Sequence, residues 1–169
     1  IGYRNGSSAV EVANDINIAL YQGELVCLIG ANGTGKSTLL RTLAASQRPL
    51  AGSVTIDGSD VLSLSRKRLS RMLAIVNTDS TQAGGLTVRE LVALGRHPHT
   101  GWFGRLTKSD SKAVDTAMLS VGITDKANRF MAELSDGERQ KAMIAKALAQ
   151  DTPIIFLDEP TAFLDIASK

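Results

Sequence analysis

Short, mainly apolar runs recur along the chain and predict the strands of a parallel sheet. Residues 24–29 form the first run, Leu73–Val76 the second and Ile154–Leu157 the third. Runs of this length are typical of strands that are covered on both faces. Alternating apolar positions before residue 22 instead predict antiparallel strands, and residues 52–58 predict a further strand that ends in an Asp-Gly turn.

Three helices are predicted between residues 87 and 150 by the sequence of their first turns. Each begins with Ser or Thr followed three residues later by Glu or Asp, which is the pattern of a capping box, and continues with apolar residues at helical spacing. The three pairs are Thr87 with Glu90, Thr107 with Asp110, and Ser135 with Glu138. Gly95 and Gly122 are predicted to end the first two helices. We therefore expect a helical region inserted between two halves of an α/β sheet.

Length, charge and cysteine content narrow the class of protein. The chain has 169 residues and a net charge of +2, which allows one domain with a core and does not indicate nucleic-acid binding. Cys27 lies in the first apolar run and is predicted to be a buried thiol. No apolar stretch approaches the ~18 residues of a membrane span, so we expect a soluble cytoplasmic chain. Because the chain begins without Met and stops soon after the third run, we expect it to be part of a longer protein.

Residues 30–38 fit the pattern Gly-x-x-x-x-Gly-Lys-Ser/Thr of a phosphate-binding loop. Glycines allow the backbone to fold tightly around an anion, and the N–H groups of the loop converge on the β-phosphate. A helix that begins near Lys36 adds the positive end of its dipole. Lys36 is predicted to reach the β- and γ-phosphates, and Ser37 to offer its hydroxyl to Mg²⁺. The predicted nucleotide-binding residues of the loop are Gly30, Asn32, Gly33, Gly35, Lys36, Ser37 and Thr38.

Two adjacent carboxylates, Asp158 and Glu159, directly follow the third apolar run. Open α/β sheets bind ligands beyond the carboxyl ends of their strands, so we expect this strand to deliver both side chains beside the phosphate-binding loop. Asp158 is predicted to hold Mg²⁺ through a water molecule. Glu159 is predicted to polarise the water that attacks the γ-phosphate.

The segment between the first two predicted helices contains two more candidate features. His97 and His99 flank a proline, but no cysteine or acidic residue is near them in sequence, so a surface loop is favoured over a metal site. Trp102 and Phe103 are adjacent aromatic residues between glycines. They leave two interpretations open, a satellite core or an exposed contact with a partner.

The combination of these motifs resembles the ATP-binding cassette (ABC) ATPases over essentially the whole chain. Residues 134–140, Leu-Ser-Asp-Gly-Glu-Arg-Gln, precede the Leu-Asp-Glu-Pro-Thr segment at 157–161. The former resembles the LSGGQ signature of the family, with Asp136 in place of a glycine and Glu138 in place of the glutamine. The resemblance implies that Ser135 and Gly137 bind the γ-phosphate of a nucleotide held by the opposite subunit.

The resemblance also assigns roles to isolated residues. Tyr3 occupies the position of the aromatic residue that stacks on adenine, and Asp165 matches the D-loop, which crosses the subunit interface. Thr78 occupies the position of the switch-loop glutamine and would be a ligand of Mg²⁺, with Gln82 as a possible substitute for that glutamine. The switch histidine of the family would lie beyond Lys169.

The implied fold is an α/β P-loop NTPase (RecA-like) core with an antiparallel β subdomain and an inserted α-helical subdomain, without its C-terminal part. Residues 1–86 and 151–169 would form the nucleotide-binding core of one incomplete domain, and 87–150 the helical and signature region. Leu86 to Pro98, followed by Gly-Arg-Leu, resembles the ATPases of iron-siderophore, haem and cobalamin importers.

This resemblance implies an ATP- and Mg²⁺-dependent ATPase at the cytoplasmic face of the inner membrane. It would pair with a second ATPase subunit and with integral-membrane permease subunits, and indirectly with a substrate-binding protein, but not with nucleic acid. A soluble ABC ATPase acting on ribosomes, DNA or iron–sulfur assembly, and a nucleotide-gated interaction module with little hydrolysis, are the alternatives.

Overall fold

The chain contains both strands and helices in an α/β arrangement, as the hydrophobic pattern predicts. The computed structural model describes residues 1–6, 8–77, 85–101 and 104–159. The chain divides into two units, Ile1–Leu69 and Ser70–Lys169.

The first unit opens with an antiparallel hairpin, which confirms the prediction of antiparallel strands near the beginning of the chain. Its strands are β1 (Gly2–Asn5) and β2 (Ser8–Glu11), with Gly2 opposite Glu11. The alternating positions 16–20 lie outside any strand. The remaining elements of the unit are α1 (Lys36–Leu43), the short antiparallel pair β3 (Thr55–Ile56) and β4 (Ser59–Asp60), and α2 (Arg66–Leu69).

The strand predicted at residues 24–29 is absent from the structure, and this prediction is wrong. The segment has no regular structure, and Leu25 and Ile29 are 93% and 91% exposed. Cys27, predicted to be buried, is exposed as well. A parallel strand exists only where a neighbouring strand receives its backbone hydrogen bonds, and no strand of the described part of the first unit pairs with this segment.

The second unit contains a parallel strand pair and three helices, all at predicted positions. The strands are β5 (Leu73–Val76) and β6 (Ile154–Leu157), and the helices are α3 (Val88–Ala93), α4 (Lys108–Ser120) and α5 (Asp136–Ala149). β5 is largely buried as expected, but every second residue of β6 is exposed. The apolar run of β6 therefore predicted the strand correctly and its burial only in part.

The core of the second unit lies where α3, α4 and α5 meet. Side chains that are almost fully buried come from each helix and from the segments between them: Val88, Leu91, Val92, Val114, Ala117, Met118, Ile123, Met131, Leu134, Ala142, Ala145 and Ala149. The α5 contribution is almost entirely alanine, which allows the other two helices to approach it closely. At the end of α4, Gly122 adopts a positive φ of 65°, the left-handed conformation expected after a helix.

Arg96 connects the beginning of α4 to the C-terminal end of α5 through a buried ion pair and a hydrogen bond. Arg96 donates from Nε to Asp110 Oδ1 at 2.9 Å and from Nη1 to the carbonyl of Ala149 at 2.8 Å. The two charged side chains are only 9% and 6% exposed. Because Asp110 also caps α4 through Thr107, this ion pair joins two helices and the loop before α4.

Gln150, directly after α5, connects the C-terminal end of this helix to β5 by hydrogen bonds. Its side-chain amide donates to the carbonyls of Ser70 and Leu73, at 2.7 and 2.9 Å. Its own carbonyl contacts Nε2 of His99 at 2.8 Å. The position of α5 relative to β5 is therefore set by polar contacts as well as by packing.

Candidate nucleotide-binding site

The phosphate-binding loop leads directly into α1, which is the arrangement the motif predicts. Gly35 is the residue before the helix, and its φ of 92° lies in the left-handed region that favours glycine. A side chain at this position would also bring its Cβ into collision with Cγ1 of Val12. Gly33, with a φ of 82°, makes the preceding turn. Both glycines are therefore required by the backbone of the loop.

The side chain of Lys36 makes hydrogen bonds to the backbone of its own phosphate-binding loop. Its Nζ donates to the carbonyl oxygens of Gly30 and Ala31, each at 2.8 Å, and Thr34 donates from its hydroxyl to the carbonyl of Ala31 at 2.9 Å. Residues 30–34, which include Asn32, are exposed, and the first turn of α1 contains no acidic residue. The ammonium and the first N–H groups of the helix thus form a positively charged surface that fits a phosphate group.

Tyr3 lies against the first turn of α1. Its hydroxyl oxygen is 2.6 Å from Oγ1 of Thr38, and the tyrosine side chain is 44% exposed while Thr38 is buried. The structure therefore brings together two residues that lie 35 positions apart in the sequence and are predicted to bind the same nucleotide. The hydrogen bond itself has no signature in the sequence.

The two carboxylates follow β6 at the carboxyl edge of the parallel pair. The backbone N–H of Asp158 donates to the carbonyl of Val76 at 2.9 Å, which continues the ladder one residue past the strand. Asp158 is half-buried and Glu159 is exposed. Glu159 has a positive φ of 48°, so the backbone turns away from the direction of β6 at this residue. Such a conformation is uncommon for a residue with a side chain and is concentrated at functional sites.

Ser135 caps α5 by the reciprocal hydrogen bonds that the sequence predicts. Its hydroxyl accepts from the N–H of Glu138 at 3.3 Å, and both its N–H and its hydroxyl donate to Glu138 Oε2, at 2.9 and 3.0 Å. These bonds, first from the backbone N–H and then from the hydroxyl, hold the pKa of Glu138 below its ordinary value of 4.5. Ser135 is exposed and Gly137 is half-buried.

The other charges at the beginning of α5 are paired. Arg139 donates from Nη1 to Asp136 Oδ1 at 2.7 Å, and from Nε to the carbonyl of Met131 at 3.2 Å. Lys126 lies 3.6 Å from Glu138 Oε1 and 3.5 Å from the carboxylate of Asp125. The contact of Lys126 with Glu138 was not predicted from the sequence, since the distance between the two residues along the chain fits no helical or strand spacing.

Ser37 and Asp158 offer a hydroxyl and a carboxylate, the oxygen ligands that Mg²⁺ prefers in proteins. They lie in different units, and in the described residues no three His, Cys, Asp or Glu side chains gather as a metal site. Mg²⁺ usually keeps several waters and is completed by phosphate oxygens, so a few protein ligands fit its chemistry.

Several sequence predictions fall outside the described residues. These are the switch-loop residues Thr78 and Gln82, the aromatic pair Trp102 and Phe103, and the D-loop residue Asp165. Within the described ranges, no helix is long and apolar enough to cross a membrane.

Comparison with known proteins places the chain in a family. The family model described as "ABC transporter" matches residues 13–162. The ferric enterobactin transport ATP-binding protein of Escherichia coli is 43% identical over 97% of this chain and 60% of its own length. The cobalamin import ATP-binding protein of Halobacterium salinarum is 43% identical over 94% of this chain and 39% of its own.

The fold agrees with the sequence comparison. A dimeric ATP-binding cassette solved in a post-hydrolysis state with ADP and phosphate superposes with a TM-score of 0.82 at 27% identity, over 99% of this chain and 74% of that one. The chain therefore belongs to the ABC transporter family, and its α/β fold is that of an ABC cassette. It spans 60% and 39% of the lengths of the two relatives named above.

Proposed function

We propose that this chain is the nucleotide-binding part of an ATPase subunit that powers import through a membrane permease. The observation that carries the proposal is the phosphate-binding loop, whose two left-handed glycines lead into a helix that begins with Lys36. This geometry presents backbone N–H groups, a helix N-terminus and an ammonium to one anion. Membership of the ABC transporter family supports the same assignment.

Within this proposal, the residues of the loop bind the nucleotide. Lys36 exchanges the carbonyl oxygens of Gly30 and Ala31 for phosphate oxygens, and the loop N–H groups with Thr38 hold the rest of the phosphate chain. Tyr3 presents its ring to the adenine.

The hydrolytic step is assigned to Ser37, Asp158 and Glu159. Ser37 and Asp158 would hold Mg²⁺, which supplies a Lewis acid for the phosphate oxygens when it is bound. Glu159 orients the attacking water and accepts hydrogen bonding from it. Its exposed side chain after β6 is accessible for this role. Thr78 remains a proposed further ligand of Mg²⁺.

Two subunits act together in the proposed mechanism. Ser135 and Gly137, at the beginning of α5, bind the γ-phosphate of the nucleotide held by the partner subunit. A related cassette solved as a dimer supports this arrangement. Since each subunit completes the other's site, closure of the dimer depends on ATP and provides the motion that drives the permease.

The proposed cargo class is an iron-siderophore, haem or cobalamin-type compound. The support is the similarity to proteins named for ferric enterobactin transport and cobalamin import. The subunit would lie at the cytoplasmic face of the membrane, bound to permease subunits that receive cargo from a substrate-binding protein.

The first experiment is ATP-dependent dimerisation of the full-length protein with Glu159→Gln. We expect this variant to bind ATP and accumulate as a dimer, because water activation is lost while the binding groups remain. Glu133→Gln, which removes an exposed carboxylate paired with Arg129, is the control and should hydrolyse ATP as the wild type does. Turnover at the wild-type rate by Glu159→Gln would contradict the role of Glu159.

The importer assignment is tested by purification of the tagged full-length protein from its own membranes in mild detergent. We expect a stoichiometric multi-helix permease to accompany it. Recovery with soluble partners alone, with ATPase activity intact, would instead support a non-transport ABC ATPase.

A further inference from the structure

The two hydrogen-bond donors of Ser135 are both directed at a carboxylate of the same chain. One oxygen of Glu138, Oε2, accepts from the Ser135 N–H at 2.9 Å and from its hydroxyl at 3.0 Å. A carboxylate oxygen and a phosphate oxygen are the same kind of anionic acceptor. The two donors that Ser135 would offer to the γ-phosphate in the proposed function are therefore already occupied by an internal anion.

Lys126 forms an ion pair with the other oxygen of this carboxylate. Its Nζ is 3.6 Å from Glu138 Oε1, and both side chains are about one-third exposed. Asp136, the second acid of the first turn, makes its ion pair with Arg139 instead. Of the hydrogen bonds given above for the two acids at the beginning of α5, those from Ser135 go to Glu138, which is also paired with a cation that does not belong to the helix.

We propose that Glu138 is an autoinhibitory ligand of the signature half-site, which the γ-phosphate must displace from Ser135 before the dimer closes. The inference rests on the proposed function, since it concerns the same Ser135 site. Displacement breaks two charge-assisted hydrogen bonds and brings a second negative charge close to Glu138. The contact thus raises the ATP concentration at which the dimer forms.

A second capping box, at the beginning of α3, provides a matched control because it has the same hydrogen bonds as the Ser135 box but no proposed role in nucleotide binding. At the beginning of α3, Thr87 and Glu90 form the same box, with Glu90 Oε2 accepting from the Thr87 N–H and hydroxyl at 2.8 Å each. Removing the charge of Glu90 therefore changes helix capping and net charge as the Glu138 substitution does. It does not touch Ser135.

The test compares Glu138→Gln and Glu90→Gln in full-length protein that also carries Glu159→Gln. Glutamine at this position still forms a capping box, so α5 is preserved. The readout is the ATP concentration for half-maximal dimerisation, measured by analytical ultracentrifugation. We expect Glu138→Gln to lower this concentration about fivefold, the factor that separates charge-assisted from neutral hydrogen bonds, and Glu90→Gln to leave it unchanged.

Ionic strength provides a readout that a purely structural role would not affect. Salt screens the repulsion between Glu138 and the incoming phosphate, so the difference between Glu138→Gln and its parent should shrink as salt rises from 0.05 to roughly 0.5 M. Equal ATP requirements for Glu138→Gln and its parent would overturn the inference, as would an equal decrease with Glu90→Gln. If the parent does not dimerise with ATP at all, the proposed function itself fails and the inference falls with it.

Discussion

The buried ion pair between Arg96 and Asp110 gives the most quantitative prediction, for the substitution Asp110→Ala. The guanidinium of Arg96 has three partners of known geometry: Asp110 Oδ1 at 2.9 Å, the Ala149 carbonyl at 2.8 Å and the exposed carboxylate of Asp151 at 3.9 Å. Alanine removes the acceptor that carries the opposite charge. It also removes the side chain that accepts from the N–H and hydroxyl of Thr107, at 2.9 and 2.6 Å.

The magnitude follows from these two losses. Leaving one charge of a buried pair without its partner costs about 3–5 kcal/mol, and losing the capping-box contacts of α4 adds roughly 1 kcal/mol. The two losses together amount to about 4–6 kcal/mol. Because the exposed Asp151 carboxylate stays 3.9 Å from Arg96, we expect the lower end, a fall in the free energy of unfolding of about 4 kcal/mol. The control is Asp115→Ala on the same helix, where the ion pair with Arg89 is 53% and 44% exposed and contributes at most about 1 kcal/mol.

The measurement is urea unfolding of the full-length protein, with hydrogen exchange of the α4 and α5 amides as a local readout. A second variant, Arg96→Met with Asp110→Ala, removes both charges and should recover at least ~2 kcal/mol of the loss. Equal effects of Asp110→Ala and Asp115→Ala would refute the reasoning. So would a double variant no more stable than Asp110→Ala alone.

Three shorter predictions concern the phosphate-binding loop and pH. Lys36→Ala should abolish measurable ATP binding in a titration while the Tm stays within a few degrees; unchanged affinity would refute the assignment of the loop. Gly35→Ala should cost roughly 1–3 kcal/mol and weaken ATP binding, because its φ is 92° and its Cβ would meet Val12; a wild-type Tm and affinity would contradict this. The Thr107 hydroxyl, followed by the Thr107 N–H and Arg96, lowers the pKa of Asp110 from 3.8 to about 2. This depressed pKa adds about 1–2 kcal/mol of stability above pH 4 that is lost as pH falls toward 2, so the stability difference between the wild type and Asp110→Asn should narrow over that range and not between pH 7 and 5.

Helix beginnings were predictable because the signal and the structure are both local. The pairs Thr87 with Glu90 and Ser135 with Glu138 make their hydrogen bonds within four residues, so no distant part of the chain is needed to interpret them. The phosphate-binding loop is predictable for the same reason, since Gly35 and Lys36 act through their own backbone and the turn before them. The local structure around the candidate site was thus predicted correctly where the contacts are short in sequence.

Strands were less predictable because pairing and burial are not local. The run at 24–29 has the composition of a buried strand, but nothing within it specifies which strand is to lie beside it. β6 obtained a partner in β5, and even there Ile155 and Leu157 remain partly exposed. An apolar run therefore predicts that a segment favours burial. Which strand or helix packs against it depends on residues elsewhere in the chain.

The contacts that position the second unit's site residues were missed because they join distant residues through single polar groups. Gln150 ends α5 four residues before β6, and its amide reaches Ser70 and Leu73, 80 and 77 positions earlier. Gln150 lies within the stretch from Ser135 to Glu159 and thus connects this stretch to β5, the strand that pairs with β6. Since Ser135 precedes the helix before that point and Glu159 follows the strand after it, we expect a change at Gln150 to alter the placement of both candidate site residues without touching either. A glutamine after a helix carries no sequence signal of this role.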